Sequence, residues 1–481
     1  MRREHDSLGD RDVPDEALYG IQTQRAIENF PISGLPPRSE LVEAIVLVKK
    51  AAALVNRELG LLSAERSEAI VRAADEILGG AHREQFRVDP FQAGAGTSHN
   101  MNANEVLANR ANELLGGGPR GAYSPVHPND DVNKGQSSND AIPTAIRLAL
   151  QRPGERLAVA LLELQGALRD KGIEFDHVLK SARTHLQDAV PIRLGQELSA
   201  YAVTVGKARD RLLAALEETR ALHIGGTAAG TGLNTDERYA GLMVATLARL
   251  TGLPLRAAPD LVQATQSLDD FVAVSAALRG AALSLIQIAN DLRLLSSGPR
   301  TGLAEIALPP VQPGSSIMPG KVNPVMAEML DMVCFHVVGA DGAVALAAQA
   351  GQLDINVMTP LVAFELLFSL QVLAAAVEAF TARCVRGITA DEESCRRWGE
   401  RSLGLATALN PFIGYEAAAE VAHEAHRSGA SVPAVVLAKG IMTADELADR
   451  LDPASLTRPR PAPETGTPRP DDEALHEVEP A

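Results

Sequence analysis

Apolar residues recur three and four positions apart over unusually long stretches of this chain. The spacing predicts amphipathic helices over 40–59 and 64–78. Beyond residue 140 the predicted helices are much longer: 141–171 with a candidate break at Pro153-Gly154, then 191–222, 264–295, 325–350 and 360–386. A helix of about thirty residues spans about 45 Å, more than the width of a small domain, so helices of this length need partners along all of it. That predicts an elongated bundle whose outer faces are covered by further copies of the chain. The pattern divides the chain into a mixed, mainly helical N-terminal domain (1–140), a central long-helix bundle (141–390) and a small helical domain (391–451). The remainder, 452–481, is Pro-rich, charged and almost free of large apolar side chains, and is expected to be disordered.

Composition narrows the picture. Of 481 residues 46% are hydrophobic and only 3% aromatic, which favours close helix-on-helix packing over a β-sandwich. A formal charge of -16 argues against nucleic acid as a partner, because phosphate binding needs clustered Lys and Arg. The most apolar run, from Leu361, is interrupted by Glu365, Gln371 and Glu378, so it reads as a buried bundle helix and no membrane partner is expected. The first residues, "MRREHDSLGDRDVPDE", have no apolar core of a secretory signal, and a cytoplasmic protein is the default. Cys334, Cys384 and Cys395 lack metal or disulfide spacing and read as buried thiols. "HEAH", His423 to His426, lacks the spacing of a zinc helix, so no metal and no cofactor is expected. The glycine string "GGTAAGTGLNT", Gly225 to Thr235, follows a helical pattern and not a strand, which rules against a dinucleotide loop.

Four polar segments interrupt the helices: "GAGTSHNMN" with Thr97, "QSSND" with Ser137, Ser138 and Asn139, "RTHLQDAVP" with Thr184 and His185, and "PGSSIMPGKVNP" with Ser315, Ser316, Lys321 and Asn323. The last is bounded by Pro and Gly and carries the only lysine for many residues on either side. Neutral hydroxyl and amide donors plus one cation are the means of holding small carboxylates. Each segment also has a plain structural reading: "QSSND" as the N-cap of the helix that follows, "RTHLQD" as a loop joining two helices.

Together these segments resemble the aspartase/fumarase superfamily, and "GSSIMPGKVNP" is similar to its signature. The likeness runs from "LYGIQTQRAIENF" through "HPNDDVNKGQSSNDAIPTA" to "NPFIGYE", about nine-tenths of the chain. It implies a mainly α, three-domain fold with a central bundle forming a tetrameric core, and active sites shared between three subunits of a homotetramer. The implied reaction removes HX from a succinyl dicarboxylate to give fumarate, through a dianionic aci-carboxylate. By the same resemblance Ser315 is the general base on a closing loop. Lys321, Asn323 and Thr184 hold the α-carboxylate, and Ser137, Ser138 and Ser316 grip the carboxylate that becomes the dianion. Thr97, Asn139 and His185 face the leaving group. "RAIENF", "GAGTS", "LRLLSSGP" and "AGQLDINVM" resemble the ammonia-releasing branch, which implies deamination of aspartate, whereas Ser138 and Thr359 depart from it. The alternatives are water as the leaving group and a catalytically silent structural relative.

Overall fold

The computed structural model describes residues 1–459. Strands β1 (Arg2–Asp6) and β2 (Gly9–Val13) open the chain as an antiparallel hairpin. Helices α1 (Ile21–Asn29), α2 (Ser39–Glu58), α3 (Ala64–Leu78), α4 (Thr97–Leu114) and α5 (Ser138–Glu174) follow. A second antiparallel hairpin, β3 (Leu179–Thr184) and β4 (Gln187–Arg193), precedes α6 (Leu194–Glu218). Next come β5 (Ala221–Leu222), α7 (Tyr239–Thr251), its partner β6 (Arg256–Ala257) and α8 (Leu261–Gln266). The long helices α9 (Asp269–Leu295), α10 (Val325–Gln349) and α11 (Thr359–Arg383) complete the middle of the chain, with β7 (Ile306–Ala307) between the first two. After β8 (Thr389–Ala390), five short helices follow: α12 (Glu392–Arg401), α13 (Leu405–Ile413), α14 (Tyr415–Ser428), α15 (Val432–Ala438) and α16 (Ala444–Arg450).

Contacts group these elements into two compact units: residues 1–168, 201–294 and 308–387 form the first, and 169–200, 295–307 and the described residues from 388 onward the second. The first unit is built on heptad packing. Phe271, Val274, Leu278, Ala281, Leu285, Ile288 and Leu292 on α9 are all buried at alternating three- and four-residue steps. Ala363, Leu366, Leu370, Leu373, Val377 and Phe380 on α11 repeat the pattern, which is the seam of helices packed nearly side by side. Across it, Asp341 of α10 accepts hydrogen bonds from Ser275 Oγ and Arg279 of α9, both at 2.8 Å. These helices are long and apolar enough to cross a membrane by length and composition. Two of their charged pairs, Arg279–Asp341 and Arg293–Asp331, are nevertheless made helix to helix within the bundle. On the other face of α10, Met332, Phe335 and Leu346 are 57–69% exposed. The second unit packs Leu409 of α13, Val421 and Ala425 of α14 and Val432, Val435 and Val436 of α15 into a separate small core.

The structure departs from the periodicity reading in four places. Helix α5 runs unbroken through Pro153 and Gly154. A Cβ at Gly154 would come within 2.5 Å of Leu216 Cδ1, so this glycine lets α6 approach and does not end the helix. The helix expected from 191 begins only at Leu194, because Pro191 lies in β4. The helix expected from 264 is divided between α8 and α9 at Ser267-Leu268. The start of the chain is a hairpin rather than irregular. Within 452–481 the structure begins with the helical turn Pro453–Leu456, and residues 460–481 lie outside those described. The three cysteines are buried and unpaired, as their spacing implied.

Candidate active site

Three of the four polar segments lie in the first unit, and two of them are drawn together at helix starts. Thr97 is the first residue of α4, whose N-cap is Gly96 in the left-handed region at φ +75. A Cβ at Gly96 would sit 2.7 Å from Ile142 Cγ2 on α5, so the two helix starts touch through a position that only glycine fits. Ser137 caps α5. Its Oγ accepts from Asn139 N at 3.2 Å while its own N–H donates to Asp140 Oδ1 at 2.9 Å, a reciprocal N-cap with aspartate at the third helical position. The N-cap expectation is met; Ser138 is the first residue of α5 and the N-terminus of α4 has no side-chain cap, so both segments stand at the positive end of a helix dipole.

What holds this wall in place was not read from the sequence. Lys49 of α2 is wholly buried, and its Nζ donates to Asn100 Oδ1 (2.6 Å), Asn133 Oδ1 (2.9 Å) and Gln136 Oε1 (2.9 Å). Asn100 belongs to α4, and Asn133 and Gln136 lead into Ser137, so one ammonium binds both segments. Burial pushes its pKa down to about 7. Asp140 is the second node: besides Ser137 N it accepts from Gly225 N (2.9 Å) and Thr227 N (3.0 Å), fastening the glycine string behind the wall. Burial raises its carboxyl to about 6 against those three N–H donors and the charge of Lys49. Asn139 donates from Nδ2 to the Ala228 carbonyl at 2.7 Å. Since that carbonyl can only accept, the amide orientation is fixed, and Asn139 Oδ1 accepts no hydrogen bond among the described residues. The signal for Lys49 was in the sequence: it falls on the buried stripe of α2 in step with Val42, Ile45 and Ala52.

The fourth segment is an exposed loop closed on itself. Gly314 N donates to Lys321 O at 2.7 Å, and Asn323 Nδ2 donates to Gly314 O at 2.8 Å. A Cβ on Gly314 would lie 2.7 Å from both Asn323 N and Lys321 O, so this glycine serves close approach; Gly320, at φ +80, supplies the turn. Ser315 Oγ accepts from the backbone N–H groups of Met318 (2.9 Å) and Ile317 (3.2 Å). Ser315 and Lys321 line one shallow cavity of about 470 Å³ with Pro313, Met318 and Pro319. Ser316 and Lys321 are exposed, and Lys321 makes no ion pair among the described residues. No hydrogen bond among those residues joins this loop to the helix starts.

Thr184 and His185 belong to the second unit, exposed at the tip of the β3–β4 hairpin. This is a hairpin, not the helix-joining loop. His185 (φ 58) and Leu186 (φ 60) are its two turn residues, both in the left-handed region. Its base is braced: Lys180 reaches Glu197 at 2.9 Å and Glu305 at 3.2 Å, and Arg183 reaches Glu305 at 2.9 Å. Among the described residues no group of three or more His, Cys, Asp or Glu side chains is placed to hold a metal ion.

A helical bundle with these four segments matches a known family. Residues 9–339 match the lyase family and residues 405–458 the fumarase C C-terminus. The chain belongs to the aspartase/fumarase superfamily of lyases. It is 50% identical over 466 residues to the aspartate ammonia-lyase of Pseudomonas fluorescens, covering 96% of this chain and 97% of that one. It is 46% identical over 446 residues to a class II fumarate hydratase of Ralstonia nicotianae, covering 92% and 96%. The crystal structure of a fumarate lyase:delta crystallin from Brucella melitensis bound to cobalt superposes with a TM-score of 0.92 at 50% identity, covering 95% of this chain and all of that one.

Proposed function

We propose that the protein is an aspartate ammonia-lyase that interconverts L-aspartate with fumarate and ammonia by anti β-elimination. The observation that carries the reading is the pair of backbone N–H groups on Ser315 Oγ. A serine hydroxyl is a poor base, and two fixed donors aimed at its oxygen favour the alkoxide that could take the β-proton. Loss of that proton puts a second negative charge on the neighbouring carboxylate. Ser137, Ser138 and Ser316 offer hydroxyl donors to this aci-carboxylate, and Lys321, Asn323 and Thr184 hold the α-carboxylate. Thr97, Asn139 and His185 face the leaving group, and the unengaged Oδ1 of Asn139 suits a group that donates N–H.

The exposed apolar positions of α10 support a homotetramer whose active sites are completed by three subunits, working on a small dicarboxylate in the cytoplasm. Two observations favour the hydratase as the second reading: Ser138, where the ammonia-releasing branch carries threonine, and the similarity to the Ralstonia nicotianae enzyme. Following the ultraviolet absorbance of fumarate separates them. Loss that requires ammonium is expected; loss without ammonium would overturn the ammonia-lyase reading in favour of hydration, and no loss under either condition would point to a silent relative.

A further inference from the structure

His223 stands two residues ahead of the glycine string and is wholly buried. Its Nδ1 lies 2.9 Å from an Arg147 guanidinium nitrogen, and its Nε2 lies 3.1 Å from the Asn139 carbonyl oxygen. A guanidinium only donates, so Nδ1 must accept, and the one ring proton sits on Nε2 and is donated to Asn139 O. The tautomer is thereby fixed by its neighbours. Burial and the charge of Arg147 push the histidine pKa down to about 3, so the ring stays neutral. Arg147, on α5, is itself held by Asp270 of α9 at 2.7 Å and by the face of Phe271, 4.9 Å from its ring centroid. Asn139 is therefore tied at both ends to one short segment: its main-chain carbonyl by His223 and its side-chain amide by the Ala228 carbonyl.

We propose that the Asp270–Arg147–His223 chain is a positioning device for Asn139, fixing its Oδ1 as the acceptor for the N–H of the leaving group. It rests on the ammonia-lyase reading. His223 and Arg147 touch no reacting atom; they act through Asn139. An imidazole that merely satisfied Arg147 would contribute to folding alone, whereas one that positions Asn139 contributes to ammonium selectively.

The test uses the full-length protein with His223→Leu and His223→Gln, the latter retaining an amide acceptor and an N–H donor. Three quantities are measured: the KM for ammonium, the KM for fumarate, and inhibition by succinate, which carries both carboxylates and no amino group. His223→Leu should raise the ammonium KM roughly tenfold, as expected for loss of about one hydrogen bond's worth of alignment, with succinate inhibition within about twofold. His223→Gln should recover most of the loss. Equal changes in all three quantities, or none, would overturn the proposal. If His223→Leu does not fold, Arg147→Lys, which keeps a charge beside Asp270 but shortens the reach to His223, should give the same split. A wild-type protein with no ammonium-dependent turnover sinks the ammonia-lyase reading; an active wild type beside unaltered variants sinks the positioning device alone.

Discussion

The two polar regions of the first unit are built on opposite plans. The wall of Thr97 and Ser137–Asn139 is held from behind by buried groups, Lys49 and Asp140, whose partners reach into α4, the approach to α5 and the glycine string. The loop of Ser315 and Lys321 has no such backing among the described residues: its bonds are internal, and most of its residues are exposed. A wall that must present several donors at fixed spacing gains from a rigid support, because donors oriented in advance need not reorganise as charge develops. Under the proposed function the loop admits and releases substrate, and a segment with that task cannot be fastened in the same way.

The sharpest way to break this contrast is to remove the hydroxyl from the free-standing loop. Ser315→Ala should keep assembly and melting temperature while lowering kcat by about 10² to 10⁴, the usual contribution of a general base; size-exclusion chromatography and initial rates check both halves. Near-normal turnover would end the general-base assignment. The complementary change, Lys49→Met, should do its damage through the fold. It takes the ammonium donor from the amide oxygens of Asn100 and Gln136, while Asn133 Oδ1 keeps the amides of Asn100 and Asn104, at a cost of about 1–3 kcal/mol by urea denaturation. It also carries a pH signature. A lysine held to about 7 when folded binds fewer protons than the unfolded chain between about 7 and 10. The wild type should therefore gain stability as pH rises through that window, by a few kcal/mol at most, and the variant should lose that slope. Lys321→Ala should have the smallest effect, raising the substrate KM about tenfold with kcat within a few-fold, because one charge-assisted contact to a carboxylate is lost. A kcat loss as large as that of Ser315→Ala would mean that Lys321 acts in the chemical step.

Long elements were legible in the sequence because their information is local. Heptad spacing predicts α10 and α11 to within a residue or a few, and α3 without error, since apolar periodicity is set by the helix itself. The β3–β4 hairpin was missed because its strands alternate weakly and its turn uses His and Leu where Asn-Gly would have announced it. The loops bearing Ser137 and Ser315 stood out by composition. Their support did not: Lys49 and His223 lie 88 and 84 positions from the residues they steady, Ser137 and Asn139, and no local pattern reports a hydrogen bond across such a distance. A buried charge on an apolar stripe was the one visible trace.

The tip of the β3–β4 hairpin sets stability against function at two adjacent positions. Each side chain in the left-handed region costs about 1–2 kcal/mol, and His185 and Leu186 occupy both turn positions. Asn-Gly there would give a tighter, more stable hairpin and would erase the imidazole at its apex. The turn is thus a place where the fold stands below its own attainable stability, and thermostabilised variants of this protein that introduce Asn-Gly at 185–186 should be more robust and less active together.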